Sequence, residues 1–316
     1  MTGALAIVLI YGITSAGGWT AVMDNAAALP GYLSLTSTFD VASGSEVKYN
    51  FLTIFSTAAW GLGYFGMPHI LVRFMAIEDE KKLVLSRRIA SVWVVIAMTA
   101  GVLIGIVGLG MTKAGALETL TGSNSETIIV RIAGIISQHN ALTALIAGII
   151  LAGILAATMS TADSQMLAAA SGVSQNIVHD FLKIKISEKT NLLIARLTIV
   201  GIAIVSIFLA RNPNSSVFKI VSFAWAGFGG AFGAVVLCSL FWKRCNLAGA
   251  IAGIISGGAT VFIWKYLIRP LGGILDIYEL LPAFIVSLIF IIVVSLLTKA
   301  PDEEIVREFE AASQKA

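Results

Sequence analysis

From Leu52 to Phe74 the sequence reads LTIFSTAAWGLGYFGMPHILVRF, an apolar run of membrane-crossing length with Gly61, Gly63, Gly66 and Pro68 at its middle. Proline removes a backbone donor and glycine does not favour the helix, so the pattern predicts an interrupted helix rather than a rod. In hydrocarbon, freed backbone groups are tolerated only where they are buried in protein or line a cavity. An interrupted span is the usual pointer to a carrier's binding site. Packing is the competing explanation for the glycines, but a proline two residues after Gly66 is not accounted for by packing alone. The same glycines spell GxGxxG, yet the dinucleotide fingerprint needs a preceding strand in a βαβ unit, which this apolar setting does not offer.

The rest of the chain has the same character. Of its 316 residues 57% are hydrophobic and 12% charged, where soluble proteins have about 25% charged residues. With about 20 apolar residues needed per span, eight spans are expected, near 3–23, 52–74, 90–111, 140–165, 191–210, 217–241, 247–267 and 278–298. The expected fold is therefore all-α and polytopic. The first run has no basic flank and no small-residue cleavage site, which argues for a span rather than a removable signal.

Charge orients the spans. With Met1 on the cytoplasmic side, 14 of the 21 Lys and Arg residues fall in inside loops or the tail, including the cluster Lys81, Lys82, Arg87 and Arg88. This bias places both termini in the cytoplasm. Cys238 and Cys245 make no disulfide framework, and His69, His139 and His179 are too scattered for a metal set. No nucleophile, base and orienter come together as an enzyme would require.

Between the spans, residues 30–48 are polar and are expected to have little fixed structure. Residues 112–125 form a second mixed loop. A short amphipathic helix is expected from Glu126 to Gln138, with a cap at Ser123 or Asn124.

The run WGLGYFGMPHILVRF, followed by RRIA, LAATMSTADSQ, SFAWAGFGGAFG, FWKR and KAP, resembles the sodium:solute symporter family, and within it the bacterial sodium/proline symporters. The likeness extends over almost the whole chain. It implies a membrane carrier with the inverted-repeat fold, in which two groups of five helices are related by an axis in the membrane plane. On that template residues 1–25 are the last helix of the first repeat, 50–241 the second repeat, 247–298 two peripheral helices and 299–316 a cytoplasmic tail. The N-terminal part of the family's fold would then be missing here.

The resemblance also implies site residues. Trp60, Tyr64 and Pro68 match positions on the substrate side. Trp60 and Tyr64, at i and i+4, would share a face if the turn is helical, and their rings suit a pyrrolidine. Ala157, Ser160 and Thr161 gather a carbonyl and two hydroxyls, and hard cations prefer oxygen. In the family this set is half of a sodium site, whereas by residues alone hydroxyls in membrane helices often bond back to the carbonyl four residues earlier. Asp163, an acid within an apolar span, is an accessory candidate for a cation or proton contact, a structural acid, or a residue at the helix's wet end. Gly249, Gly253 and Gly257 form a small-residue stripe for packing or self-association.

The expected function is sodium-coupled symport of a small amino acid, proline first, in the plasma membrane. Sodium is the coupling ion, and no cofactor or nucleic acid is involved. The alternatives are another organic solute, such as pantothenate, a monocarboxylate or a sugar, and an inactive truncated fragment.

Overall fold

The computed structural model describes residues 2–184, 187–211 and 216–313. Met1, Lys185 and Lys315, which enter the charge bias, lie outside them. In chain order the helices are α1 (Thr2–Ser15), α2 (Trp19–Ala27), α3 (Phe51–Ala58), α4 (Pro68–Met75), α5 (Lys82–Lys113), α6 (Ile128–Ser137), α7 (Ala141–Ser171), α8 (Glu188–Leu209), α9 (Val217–Phe228), α10 (Ala234–Phe241), α11 (Leu247–Ile263), α12 (Leu280–Leu297) and α13 (Glu303–Ser313). Strands β1 (Ser37–Asp40) and β2 (Ser45–Lys48) pair as a hairpin. Among the described residues six helices, counted with their π and 3-10 continuations, are long and apolar enough to cross a membrane, or seven if the bent pair α1–α2 is one span. The protein is an all-α polytopic membrane protein with one small hairpin.

Several expectations change. The run 3–23 is not straight: α1 and α2 meet at 79°, because Gly17 and Gly18 take φ of +89° and +101°, which only glycine adopts freely. Residues 30–48 are not structureless. The Asp40 carboxylate accepts hydrogen bonds from the amides of Ala42 and Ser43 and from the Ser43 hydroxyl at 2.7–3.2 Å, which closes the hairpin turn. These bonds, the Ser43 hydroxyl first, hold the Asp40 carboxyl below its ordinary range. The helix expected from Glu126 begins as a 3-10 turn, Gly122–Thr127, and becomes α-helical only at Ile128, without a side-chain cap. The span expected to end near 165 runs on through α7 and a π-helix, Gly172–Phe181.

The chain divides into two compact units, Met1–Val47 with Ile77–Val217, and Lys48–Ala76 with Phe218–Ala316. In the first, α5 packs along α1 and α2, and α6 packs on α7. Val8, Val22, Ile104, Val107, Met111, Ile132 and Ile150 form its core. A capping box at Asn140 and Thr143 starts α7.

The second unit is organised around α11 and α12. A methyl group on Gly249, Gly253 or Gly257 would overlap Ser295, Ile291 or the Gly230 carbonyl, so the stripe is filled from within the unit by α12 and a π-turn, Gly229–Gly233. The Asn246 side chain caps α11 through the Gly249 amide at 2.8 Å. Its amide nitrogen also donates to Thr298 Oγ1 and the Lys299 carbonyl, both at 2.7 Å, tying the start of α11 to the end of α12.

Candidate functional site

The run 52–74 is broken into three pieces: α3, a 3-10 helix from Ala59 to Gly66, and α4. Met67 is extended, at φ −86° and ψ 111°, as expected before a proline, and Pro68 opens α4. The three glycines are not equivalent. A methyl group on Gly63 would overlap the Trp225 indole, and one on Gly66 the Phe228 carbonyl, whereas Gly61 faces open space. The reverse fit is just as close, since a methyl group on Gly229 would lie 2.7 Å from Gly63 Cα. The break thus lies with its backbone directly against the π-turn that ends α9.

A 3-10 helix has three residues per turn, so Trp60 and Tyr64 are rotated by about 120° from each other and do not share a helix face. They are joined instead by Trp225. Its indole N–H donates to the Trp60 carbonyl at 3.0 Å, giving a partner to an acceptor at the break. Its ring stacks on Trp60, with centroids 5.6 Å apart, and meets Tyr64 edge-on at 4.7 Å. Phe218 and Tyr278 also stack on Trp60, at 5.5 and 5.7 Å. Trp60 is thus half-buried, with three aromatic rings against it. Tyr64 and Pro68 are exposed.

Tyr278 and Glu279 anchor this aromatic group. The Tyr278 amide donates to the buried Ser56 hydroxyl, and its phenol to the Ser222 carbonyl, each at 2.7 Å. Glu279 is buried and paired with Arg269 at 3.0 Å and Lys265 at 3.9 Å. Lys265 in turn lies 3.5 Å over the Phe223 ring.

Ala157, Ser160, Thr161 and Asp163 belong to the other unit, on α7, and are exposed. The Thr161 hydroxyl donates to the Ala157 carbonyl at 3.2 Å, the local bond common for hydroxyls in membrane helices. The Ser160 hydroxyl has no protein partner among the described residues, and its carbonyl accepts from Ser164 at 3.0 Å. Among the described residues no His, Cys, Asp and Glu group could hold a metal ion.

The sequence reading missed Trp225, Phe218 and Tyr278 as partners of Trp60. Trp225 and Phe218 lie over 150 residues away. Trp225 had one local signal, an indole beside small residues in a motif already singled out.

Broken helix, π-turn and apolar spans define a multi-pass membrane protein in which one apolar run is interrupted by a 3-10 segment packed through Gly63 and Gly66 on its neighbour. Comparison with known sequences assigns it further. The sequence profile of the sodium:solute symporter family matches residues 1–257, and the chain belongs to that family. An osmoregulated proline transporter of Bacillus subtilis is 38% identical over 309 residues, 98% of this chain and 59% of that protein. A sodium/proline symporter of Escherichia coli is 40% identical over 264 residues, 83% of this chain and 51% of its own. One from Staphylococcus aureus is 36% identical over 304 residues, 94% and 56% respectively. The chain spans little more than half the length of these relatives.

Proposed function

We propose that this chain carries the substrate-contacting broken helix and the sodium-binding helix of a carrier that brings a small amino acid, proline, into the cell with sodium. The observation that carries the reading is the 3-10 interruption at Ala59–Gly66, walled by Trp60, Tyr64 and Trp225, in a member of a symporter family. The relatives named for proline transport support the choice of substrate. Pro68 starts the helix beyond the break, and Gly63 and Gly66 let the break approach α9.

For sodium, the ligands would be the Ala157 carbonyl and the hydroxyls of Ser160 and Thr161, with Asp163 accessory. The Ala157 and Thr161 oxygens, 3.2 Å apart, have the spacing of adjacent ligands on a hard cation bound at about 2.4 Å. A cation takes both lone pairs once the hydroxyl proton turns away. Sodium favours the outward-open state, substrate allows closure, and each ligand raises the other's affinity by the same factor. The process needs no covalent chemistry and no cofactor. The charge bias supports a plasma-membrane orientation with both termini inside, and the order of helices supports the assignment of 50–241 to the second inverted repeat with 247–298 peripheral.

Uptake of labelled proline into proteoliposomes tests the reading, using the chain as it stands and the chain preceded by the N-terminal half of the Escherichia coli relative. The expected result is uptake that requires sodium and is competed by proline alone. Competition by pantothenate, a monocarboxylate or a sugar would move the assignment to that solute. Activity only in the preceded form identifies the chain as a part that needs another, and no sodium dependence in either form overturns the proposal.

A further inference from the structure

The last membrane helix is outside the repeat assigned above, yet the tyrosine just before it reaches the broken helix at two points and α9 at a third. Tyr278 stacks on Trp60 with an interplanar angle of 18°. Its backbone N–H holds Ser56, one helical turn before Trp60, and its hydroxyl holds the carbonyl of Ser222, three residues before Trp225. Tyr278 is thereby fixed to both segments that present the aromatic wall: α3, leading into Trp60, and α9, carrying Trp225. Ser56 is 2% exposed, so its hydroxyl is not exchanged for water.

The segment that carries Tyr278 is itself held. Glu279 is 2% exposed and has two cationic partners, Arg269 and Lys265, from the π and 3-10 turns that follow α11. Arg269 also pairs with Asp276 at 2.8 Å, so the link between α11 and α12 is drawn together from both sides of Tyr278. A buried carboxylate that loses its cations is strongly disfavoured, and this makes the arrangement well determined.

We propose that Tyr278 is a positioning residue for Trp60, held in place by Glu279, so that a peripheral helix sets the orientation of the ring in the substrate wall. The link to substrate rests on the pocket reading given above. The positioning itself does not, because it concerns where the ring is held.

The test is fluorine NMR of the full chain labelled with 5-fluorotryptophan in lipid nanodiscs. Its six tryptophans give six lines, with that of Trp60 identified by its loss in Trp60→Phe. Tyr278→Leu removes ring and hydroxyl, and should shift and broaden the Trp60 line while the lines of Trp19 and Trp93, in the other unit, remain in place. Glu279→Gln should produce a smaller displacement of the same line. If Trp19 and Trp93 also move, Tyr278→Phe, which keeps the ring and loses only the bond to Ser222, carries the test and should still displace the Trp60 line. An unmoved Trp60 line in a variant whose Trp19 and Trp93 lines are native overturns the proposal.

A second arm separates the two readings. Proline added with sodium should move the Trp60 line if that residue lines the pocket, and Tyr278→Leu should then raise the proline concentration for half the shift by roughly three- to tenfold. A Trp60 line that answers to Tyr278 but not to proline removes the pocket reading and leaves the positioning role intact. One that answers to proline but not to Tyr278 does the reverse.

Discussion

The indole N–H of Trp225 donates to the carbonyl oxygen of Trp60 across 165 residues of sequence, and the ring that makes this bond occupies the space where Gly63 has no side chain. One side chain therefore provides both the polar partner and the filling for the break. In an apolar medium an acceptor left without a donor is costly, so replacement of Trp225 by Phe should be felt even though the stacking on Trp60 is retained. The expected loss is about 1 kcal/mol of stability, read as a lower midpoint in thermal unfolding of the detergent-solubilised chain. A midpoint equal to the parent's would mean that the carbonyl finds another donor.

The three glycines of the break should respond differently to one methyl group. Gly61→Ala meets open space and should be neutral or slightly stabilising, whereas Gly63→Ala displaces the Trp225 ring and Gly66→Ala pushes on the Phe228 carbonyl. Each of the latter should cost about 1–3 kcal/mol. The same unfolding assay ranks them, and equal behaviour of all three would refute the packing account.

At α7 the discriminating measurement is the sodium dependence. If Thr161 is a ligand, Thr161→Ala should raise the sodium needed for half-maximal uptake roughly tenfold, and Thr161→Ser should restore it. If its hydroxyl only bonds back to Ala157, both variants should match the parent. Uptake by the form preceded by the relative's N-terminal half, assayed over a sodium series, decides.

Asn246→Ala removes the α11 cap and the donors to Thr298 and Lys299 together. A cap alone is worth about 1 kcal/mol, so the loss should exceed that of Asn246→Asp, which keeps the acceptor and gives up the donors. Thermal midpoints of the two variants provide the comparison.

Asp40 makes the hairpin sensitive to acid. Its folded pKa lies below the ordinary value of 3.8, so the contribution of the carboxylate to the turn is complete above that value and is lost as pH falls through the lower, folded pKa. Amide exchange at Ala42 and Ser43, corrected for the intrinsic effect of pH, should show protection falling in that window. Asp40→Asn should abolish this pH dependence.

The membrane-spanning elements were legible in the sequence because hydropathy is a property of composition: α5, α8, α9 with α10, α11 and α12 all fall on expected runs. The break was legible at Gly63, Gly66 and Pro68 for a local reason too, since these residues act on their own backbone. The bend after α1 had an equally local cause in Gly17 and Gly18, which the length of the apolar run concealed. The end of α7 was hidden because SGVSQNIVHD is polar enough to read as a loop. The hairpin rests on Asp40 and its turn rather than on apolar alternation. The Trp60 neighbours were not legible, because Phe218, Trp225 and Tyr278 come from distant segments and no local pattern brings three aromatic residues to one ring. Whether Ser160 and Thr161 bind a cation is equally not written in their spacing, which serves a back-bonded hydroxyl as well as a ligand.

The glycine stripe of α11 bears on assembly. Gly249, Gly253 and Gly257 are the sort of ridge along which two membrane proteins dimerise, but here Ser295, Ile291 and the Gly230 backbone already occupy it. A homodimer of this chain must therefore be built on another surface.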